Sequence, residues 1–341
     1  MSCSGCTLIQ PIENQGIVRI KPLNKSLMNS LLEQGLGAEI IAECTVVPYN
    51  KKEEILDLLH FLRILPKKDR TDMEFSIKGL GEHTMYSPWI PVIQMEAKVE
   101  NQSVVDIIRL EKFASHMQPI VDTNEQIMGF EFLLRPEQGD HSFQPYQLFE
   151  VARETGLHSF LDRAAQITAI KTSALWVPNG FKRFINFLPS TIYNPCLSDT
   201  FETIDRLNLD PKDFVFEVVE TENVEHIPQL LRIFDLYREK GISVALDDVG
   251  SGYSTVELMS DLKPDYVKID RSLIDHCDQD LMKQREITRI TEAAFQFKGQ
   301  VLAEGIERYE DFQFCKDAGI NLAQGYLFGK PSERPPLAIV M

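Results

Sequence analysis

No stretch of this 341-residue chain approaches the roughly 18 consecutive apolar residues that a membrane-spanning helix needs, so no span is expected. The start, Met1-Ser2-Cys3-Ser4-Gly5-Cys6, has neither a basic region nor an apolar core before its cysteines. No secretion or lipoprotein signal is therefore expected, and the cytoplasm is the expected location. Positive charge is scarce: 35 Lys and Arg against 51 Asp and Glu leave a formal net charge of -16. That balance argues against nonspecific binding to nucleic acid polymers, which needs a basic surface. It leaves room for a small anionic ligand, because carboxylates hold divalent cations and the cations then face a phosphate. The cysteines form no disulfide framework: Cys3 and Cys6 make one CxxC, whereas Cys44, Cys196, Cys277 and Cys315 are scattered. One CxxC is half a zinc site, and a reduced N-terminus is the plainer reading. The histidines are dispersed and show no HExxH spacing.

What is present falls into two textures. The first hundred or so residues read as mixed α/β, with a strand expected over Ile40 to Val47 and an amphipathic helix over Lys51 to Leu65. That helix would put Ile55, Leu58, Leu62 and Leu65 on one face, with Asn50 as its cap. Pro66 to Arg70 breaks the pattern as a loop. From about Glu111 onward, short apolar runs that end in a polar residue alternate with helical stretches. The runs include Phe184-Ile185-Asn186, Phe214 to Glu217, Ser243 to Asp248, Tyr266 to Asp270 and Val301 to Glu304. Helices are expected over Ile227 to Lys240, stopped by Gly241, and over Asp280 to Phe297. This rhythm predicts a parallel sheet. The polar residues fall at the ends of several different strands, and in a closed barrel those ends meet on one face, so a barrel is favoured over an open sheet.

Strand periodicity then aims particular side chains. In Gly129 to Arg135, Glu131, Leu133 and Arg135 share one face, while Phe132 and Leu134 share the other. A carboxylate and a guanidinium facing inward are costly without partners. A metal for Glu131 with a phosphate for Arg135 would resolve the cost, and so would a simple salt bridge. By the same parity Lys268 and Asp270 face the interior, where Asp247, Asp248 and Glu304 can supply counter-charge. Asp247-Asp248 precedes Val249-Gly250-Ser251-Gly252-Tyr253-Ser254, and two adjacent carboxylates at a strand end repel unless a cation lies between them. Such a pair suits two metals about 4 Å apart; a helix-capping turn is the plainer alternative.

Taken in order, these motifs make residues from about Gln118 to Pro331 resemble the EAL domain family of cyclic di-GMP phosphodiesterases. Gln118-Pro119-Ile120-Val121-Asp122 looks like the family's opening strand, and Glu131 to Arg135 like its name-giving Glu-Ala-Leu element. Asn186, Glu217-Val218-Val219-Glu220, Asp247 to Ser254, Lys268-Ile269-Asp270, Ala303 to Glu307 and Gln324 to Leu327 follow in the family's order. The resemblance implies a TIM-like (β/α)8 barrel of the α/β class over 106–341, preceded by a smaller accessory α/β region over 1–105. It implies hydrolysis of cyclic di-GMP to linear pGpG with two divalent cations, Mg²⁺ or Mn²⁺. Glu131, Asn186, Glu217 and Asp247 would hold the first cation, and Asp247, Asp248 and Glu304 the second. Lys268 would sit beside the attacking water, Glu304 would share in catalysis, and Glu220 would anchor the mobile loop. Arg135 would contact phosphate. Gln324 and Glu307 would order the floor of the substrate site, to which Gln118, Leu133 and Asp270 also belong. A homodimer through the barrel is the family's habit.

Phe132, where the family usually has alanine, is the clearest departure. Parity turns it toward the helical shell, so it should change packing rather than remove a ligand, and overpacking there would act by displacing Glu131. Val219 replaces a threonine, and Pro136 follows the arginine. The competing readings are a noncatalytic cyclic di-GMP receptor and a barrel hydrolase for another phosphodiester. No Gly-Gly-Asp-Glu-Phe-like element supports a cyclase.

Overall fold

The computed structural model describes residues 12–66, 70–81, 85–137, 142–188, 197–218, 227–250 and 256–334. Cys3, Cys6, Cys196, Val219, Glu220 and Ser251 to Ser254 lie outside the described residues. The chain clusters into two compact units, one comprising residues up to 112 with 146–158, the other 113–145 with 159–341.

In the first unit, β1 (Gly16–Lys21), β2 (Glu39–Ile41), β3 (Cys44–Tyr49), β4 (Glu74–Gly79) and β5 (Ile90–Pro91) form an antiparallel sheet in the order β2-β3-β1-β4-β5. Helices among the described residues here include α1 (Lys25–Glu33), α2 (Glu53–Arg63), α3 (Val92–Glu100) and α4 (Gln102–Arg109), and α5 (Pro145–Glu154) follows. Val18 and Ile20 from β1 pack with Leu27 and Leu31 of α1 and with Ile55, Leu58 and Leu62 of α2. The single strand expected over Ile40 to Val47 is a hairpin instead. Ala42 and Glu43 both take positive φ, 49° and 64°, which is the primed turn that joins two strands through two residues. Neither residue is the usual Gly or Asn, so the turn carries no sequence signal. At α2, Asn50 does not cap through its side chain; its backbone N–H donates to Glu54 Oε2 at 2.9 Å.

The second unit is a closed barrel in the order β10-β11-β12-β13-β6-β7-β8-β9. Its strands are β6 (Phe113–Asp122), β7 (Ile127–Pro136), β8 (Lys182–Phe187), β9 (Phe214–Val218), β10 (Ser243–Val249), β11 (Tyr266–Ile269), β12 (Gln300–Ala303) and β13 (Leu322–Gln324). Between them run α6 (His158–Trp176), α7 (Leu197–Arg206), α8 (Ile227–Glu239), α9 (Val256–Leu262), α10 (Arg271–Ile274), α11 (Leu281–Gln296) and α12 (Tyr309–Asp317). The parallel rhythm holds from β7 to β13 and fails at β6, which runs antiparallel to both neighbours. The reason is local. Asp122 Oδ1 accepts from the N–H groups of Asn124 and Gln126, closing a tight turn, and a tight turn can join only antiparallel strands.

Outward residues of the strands, including Phe132, Phe216, Val218, Val267 and Ile269, join helix residues such as Ile170, Ile233 and Ile290 in the large core. Inward residues form a separate apolar floor of Ile120, Phe184, Val215, Ala245, Tyr266, Leu302 and Leu322. Gly129 holds the inward position on β7, where a Cβ would come within 2.5 Å of the Lys182 carbonyl oxygen. Two residues beyond each floor position, on the same face, stands a polar side chain: Glu131, Asn186, Glu217, Asp247, Lys268, Glu304 and Gln324. On antiparallel β6 the step reverses, and Gln118 precedes Ile120. Pleat alternation alone therefore stacks a polar layer on an apolar one. As expected, α8 ends before Gly241, whose φ of +81° suits glycine. Asp280 caps α11 by accepting from Met282 and Lys283 N–H.

Near the start of β8, fully buried Arg183 donates to Asp213 Oδ2 at 3.0 Å and to the carbonyls of Phe181 (2.9 Å) and Val177 (2.8 Å). Arg183→Ala strands the Asp213 charge and should cost about 3–5 kcal/mol in urea unfolding. A loss below about 1 kcal/mol would contradict a buried ion pair.

Candidate functional site

The polar layer converges on Lys268, which is fully buried. Its Nζ lies 2.7 Å from Glu304 Oε1, 3.0 Å from Asp247 Oδ1, 3.0 Å from Glu217 Oε1 and 3.5 Å from Glu131 Oε1. Amides complete the ring around Glu131. Gln324 Nε2 donates to Glu131 Oε2 at 2.6 Å, and Asn186 Nδ2 donates to Glu131 Oε1 at 3.4 Å. Gln324 Nε2 also donates to Gln118 Oε1 at 3.1 Å, and Gln118 Nε2 donates to the Gly329 carbonyl at 3.1 Å.

Alternation alone would send Asp247 and Asp248 to opposite faces. A register shift between β10 and β11 at this point, with Asp248 at φ +53°, breaks the alternation. Carboxylate oxygens of Asp247, Asp248 and Glu304 consequently come within 4.8 Å of one another. Asp248 N–H donates to Asp247 Oδ1 at 3.0 Å. The pair is thus not the helix-capping turn that the sequence alone left open.

Charge is unbalanced in this layer. Burial would lower Lys268, but Asp247, Glu131, Glu217 and Glu304 together hold its ammonium well above the usual lysine range. Burial pushes Glu131 up, yet Lys268 and the Gln324 and Asn186 amides outweigh it, and its carboxyl ends below the ordinary value. Glu217 and Glu304 go the other way: burial raises both well above the carboxylate range despite Lys268. Asp247 is raised by burial, and Asp248 is pushed up to about 6 by burial and by the Asp247 charge. One ammonium does not satisfy the ring. Glu217 is fully buried, and although Oε1 is near Lys268, neither oxygen makes an aligned hydrogen bond among the described residues. A buried carboxylate without an aligned hydrogen bond, beside a three-carboxylate cluster, is the donor chemistry that hard divalent cations take.

The structure thus brings together Glu131, Asn186, Glu217, Asp247, Asp248, Lys268, Glu304, Gln118 and Gln324. Strand parity named only Asp247, Asp248 and Glu304 as neighbours of Lys268, while Glu131, Asn186 and Glu217 entered through the family resemblance. Glu131 and Glu217 could have been added from the two-residue step above Gly129 and Val215. Other expected residues stand apart. Asp270 accepts from Ser272 N–H at 2.9 Å as the cap of α10, while its charge contributes to the rise of Asp248. Glu307 pairs with Arg271 at 2.8 Å, both half-exposed. Half-buried Arg135 donates to the Leu134 carbonyl at 2.8 Å and forms no ion pair with the ring among the described residues; Leu133 is also half-buried. Phe132 faces the helical shell, as parity required.

Residues 101–331 match the EAL domain family, and the chain belongs to it. Over 229 residues it is 32% identical to PdeG of Escherichia coli (strain K12), named a probable cyclic di-GMP phosphodiesterase; the match spans 63% of this chain and 43% of PdeG. The chain thus spans less than half the length of that relative. The c-di-GMP-bound form of a standalone EAL protein from Vibrio cholerae O395 superposes with a TM-score of 0.59 at 31% identity, covering 66% of this chain and 94% of that one. BlrP1 of Klebsiella pneumoniae, solved as a manganese/cy-diGMP complex, shares the fold with a TM-score of 0.60 at 18% identity, covering 93% of this chain and 96% of that one.

The raised carboxyl of Asp248 fixes a direction for pH. Its folded value of about 6 exceeds its ordinary 3.8, so the metal-free protein loses this contribution to stability as pH rises through that window. A cation competing for the same oxygens gains over the proton across the same window. The rise in melting temperature on adding Mn²⁺ should accordingly be larger at about pH 7.5 than at about pH 5. An equal rise at both would contradict cation binding at these carboxylates.

Proposed function

We propose that the barrel hydrolyses cyclic di-GMP to linear pGpG at a centre of two divalent cations, Mg²⁺ or Mn²⁺. The observation that carries this reading is the surplus of carboxylates over cations in the layer around Lys268. Glu131, Asn186, Glu217 and Asp247 would hold one cation, and Asp247, Asp248 and Glu304 the other, with Asp247 shared. When bound, such cations lower the pKa of a water and neutralise charge that develops on the phosphate. Oxygen ligands suit Mg²⁺ or Mn²⁺ better than zinc.

The chain's own groups have definite tasks in this scheme. Lys268 would sit beside the reacting water and orient it; in the cation-free ring the surrounding carboxylates hold its ammonium well above the usual lysine range. Glu131 is held by the Gln324 and Asn186 amides, which resist its rotation when substrate arrives. Arg135 would meet a phosphate at the end of β7, and Gln118, Leu133, Asp270, Glu307 and Gln324 would line the substrate site. Glu220 would anchor the loop after Asp248 and lies outside the described residues.

The names of PdeG and the ligand of the V. cholerae protein support the substrate. Retention of every expected ligand favours an enzyme over a receptor. Phe132 supports turnover too, because its ring is accommodated in the outer core and leaves Glu131 facing its partners. No helix among the described residues is long and apolar enough to cross a membrane. We place the protein in the cytoplasm as a homodimer that pairs through the barrel, with the region before the barrel as an accessory. The test is incubation with cyclic di-GMP and Mn²⁺, with and without Glu131→Ala. The wild type should release pGpG and the variant should not. Persistent turnover in the variant would sink the cation assignment, and tight binding without pGpG in the wild type would establish a receptor.

A further inference from the structure

Asp162 is a buried carboxylate in the first half of α6, away from the ring around Lys268. A charge buried on a helix is costly, so the direction in which its oxygens point is informative. Asp162 Oδ1 accepts from the backbone N–H of Leu188 at 3.1 Å, and Oδ2 accepts from Gln166 Nε2 at 2.8 Å. Gln166 Oε1 in turn accepts from Thr200 Oγ1 on α7 at 3.2 Å. Asp162, Gln166, Leu188 and Thr200 are all buried, so water does not compete for these bonds. The wall beside them is aromatic. Tyr237 of α8 stacks on Phe216 with ring centroids 4.8 Å apart and also meets Phe187 and Phe201. The Asp162 charge adds to the effect of burial in raising the Tyr237 hydroxyl, which places that carboxylate at the same wall.

The position of Leu188 gives the network its consequence. Leu188 follows the last residue of β8 and stands two residues after Asn186, whose Nδ2 reaches Glu131 at 3.4 Å. At Phe187 and Leu188 the chain leaves the sheet, and Asp162 holds the first N–H beyond the strand. If that N–H were released, the strand end that presents Asn186 would lose this tie and keep its pairing with β7 up to Ile185 and with β9, where Asn186 sits opposite Glu217. Gln166 and Thr200 fix Asp162 from the other side by joining α6 to α7.

We propose that Asp162 is a positioning residue for the cation site: through Leu188 N–H it sets the exit of β8 and hence the placement of Asn186. This rests on the reading of Asn186 and Glu131 as ligands. Asp162 touches neither substrate nor cation, and its effect is on affinity at the site. Partners that hydrogen-bond a ligand directly are worth about 10–100-fold in metal affinity, and Asp162, one step further out, falls at the low end of that range.

The test is Mn²⁺ titration of the full chain, following free Mn²⁺ by EPR, with melting temperature measured on the same samples. Asp162→Ala should bind Mn²⁺ at least about 10-fold more weakly at temperatures where it remains folded. Asp162→Asn keeps an acceptor for Leu188 N–H and should stay within about threefold of wild type, a rescue that loss of general stability would not give. Gln166→Leu, which frees Asp162 to swing while leaving a well-sized side chain, should weaken binding as well and serves if Asp162→Ala does not fold. Asn186→Ala calibrates the site. Weak binding by Asn186→Ala together with wild-type affinity in Asp162→Ala, or in Gln166→Leu where the former does not fold, would overturn the positioning role. Wild-type affinity in Asn186→Ala would overturn the ligand assignment beneath it.

Discussion

The ammonium of Lys268 inside a ring of carboxylates is the constraint on which the rest of the barrel depends. The acids that β7, β9, β10 and the end of β12 aim inward repel one another, and a closed sheet leaves them no way to turn outward without reversing strand register. A central cation makes the closure tolerable. Lys268 supplies one charge against Glu131, Glu217, Asp247 and Glu304, so the ring holds together with more carboxyl groups than one ammonium can keep ionised. The site is therefore assembled around its own lysine and still suited to further positive charge. Raised carboxyls at Glu217, Glu304 and Asp248 are the physical expression of that deficit, and the lowered Glu131 shows where the lysine and the amides have already met it.

The apolar floor below the ring gives these charges their strength. Ile120, Phe184, Val215, Ala245, Tyr266, Leu302 and Leu322 form an apolar layer beneath the polar one. Field lines between the acids and Lys268 then pass through protein, where Coulomb interactions exceed their value in water several-fold. The outer core has a different task. Phe132 belongs to it, so the substitution that most distinguishes the name-giving motif bears on the seat of β7 against the helices. Its effect on Glu131 is indirect.

Much of this was legible in the sequence because strand parity is rigid. The inward direction of Glu131 and Lys268, the outward direction of Phe132, Val267 and Ile269, and the stop at Gly241 all follow from local periodicity or a single residue type. The parts that were not legible depend on backbone geometry without a residue signature. The turn at Ala42-Glu43 has positive φ without glycine or asparagine, and the shift at Asp247-Asp248 depends on the neighbouring strand. The antiparallel run of β6 was hidden because a strand reads alike in either direction, although the short link to β7 decides it. Asp162 is illegible for another reason. It sits in a helix of weak amphipathic pattern, and its partner Leu188 is a backbone N–H whose availability no side chain announces.

The most direct test of the account is the EPR spectrum of the Mn²⁺-loaded protein together with its metal content. Two ions sharing Asp247 at about 4 Å should give an exchange-coupled spectrum, with a pair of Mn²⁺ per chain. A single Mn²⁺ per chain with an isolated six-line signal would contradict a paired site and, with it, the reason for so many acids around one lysine.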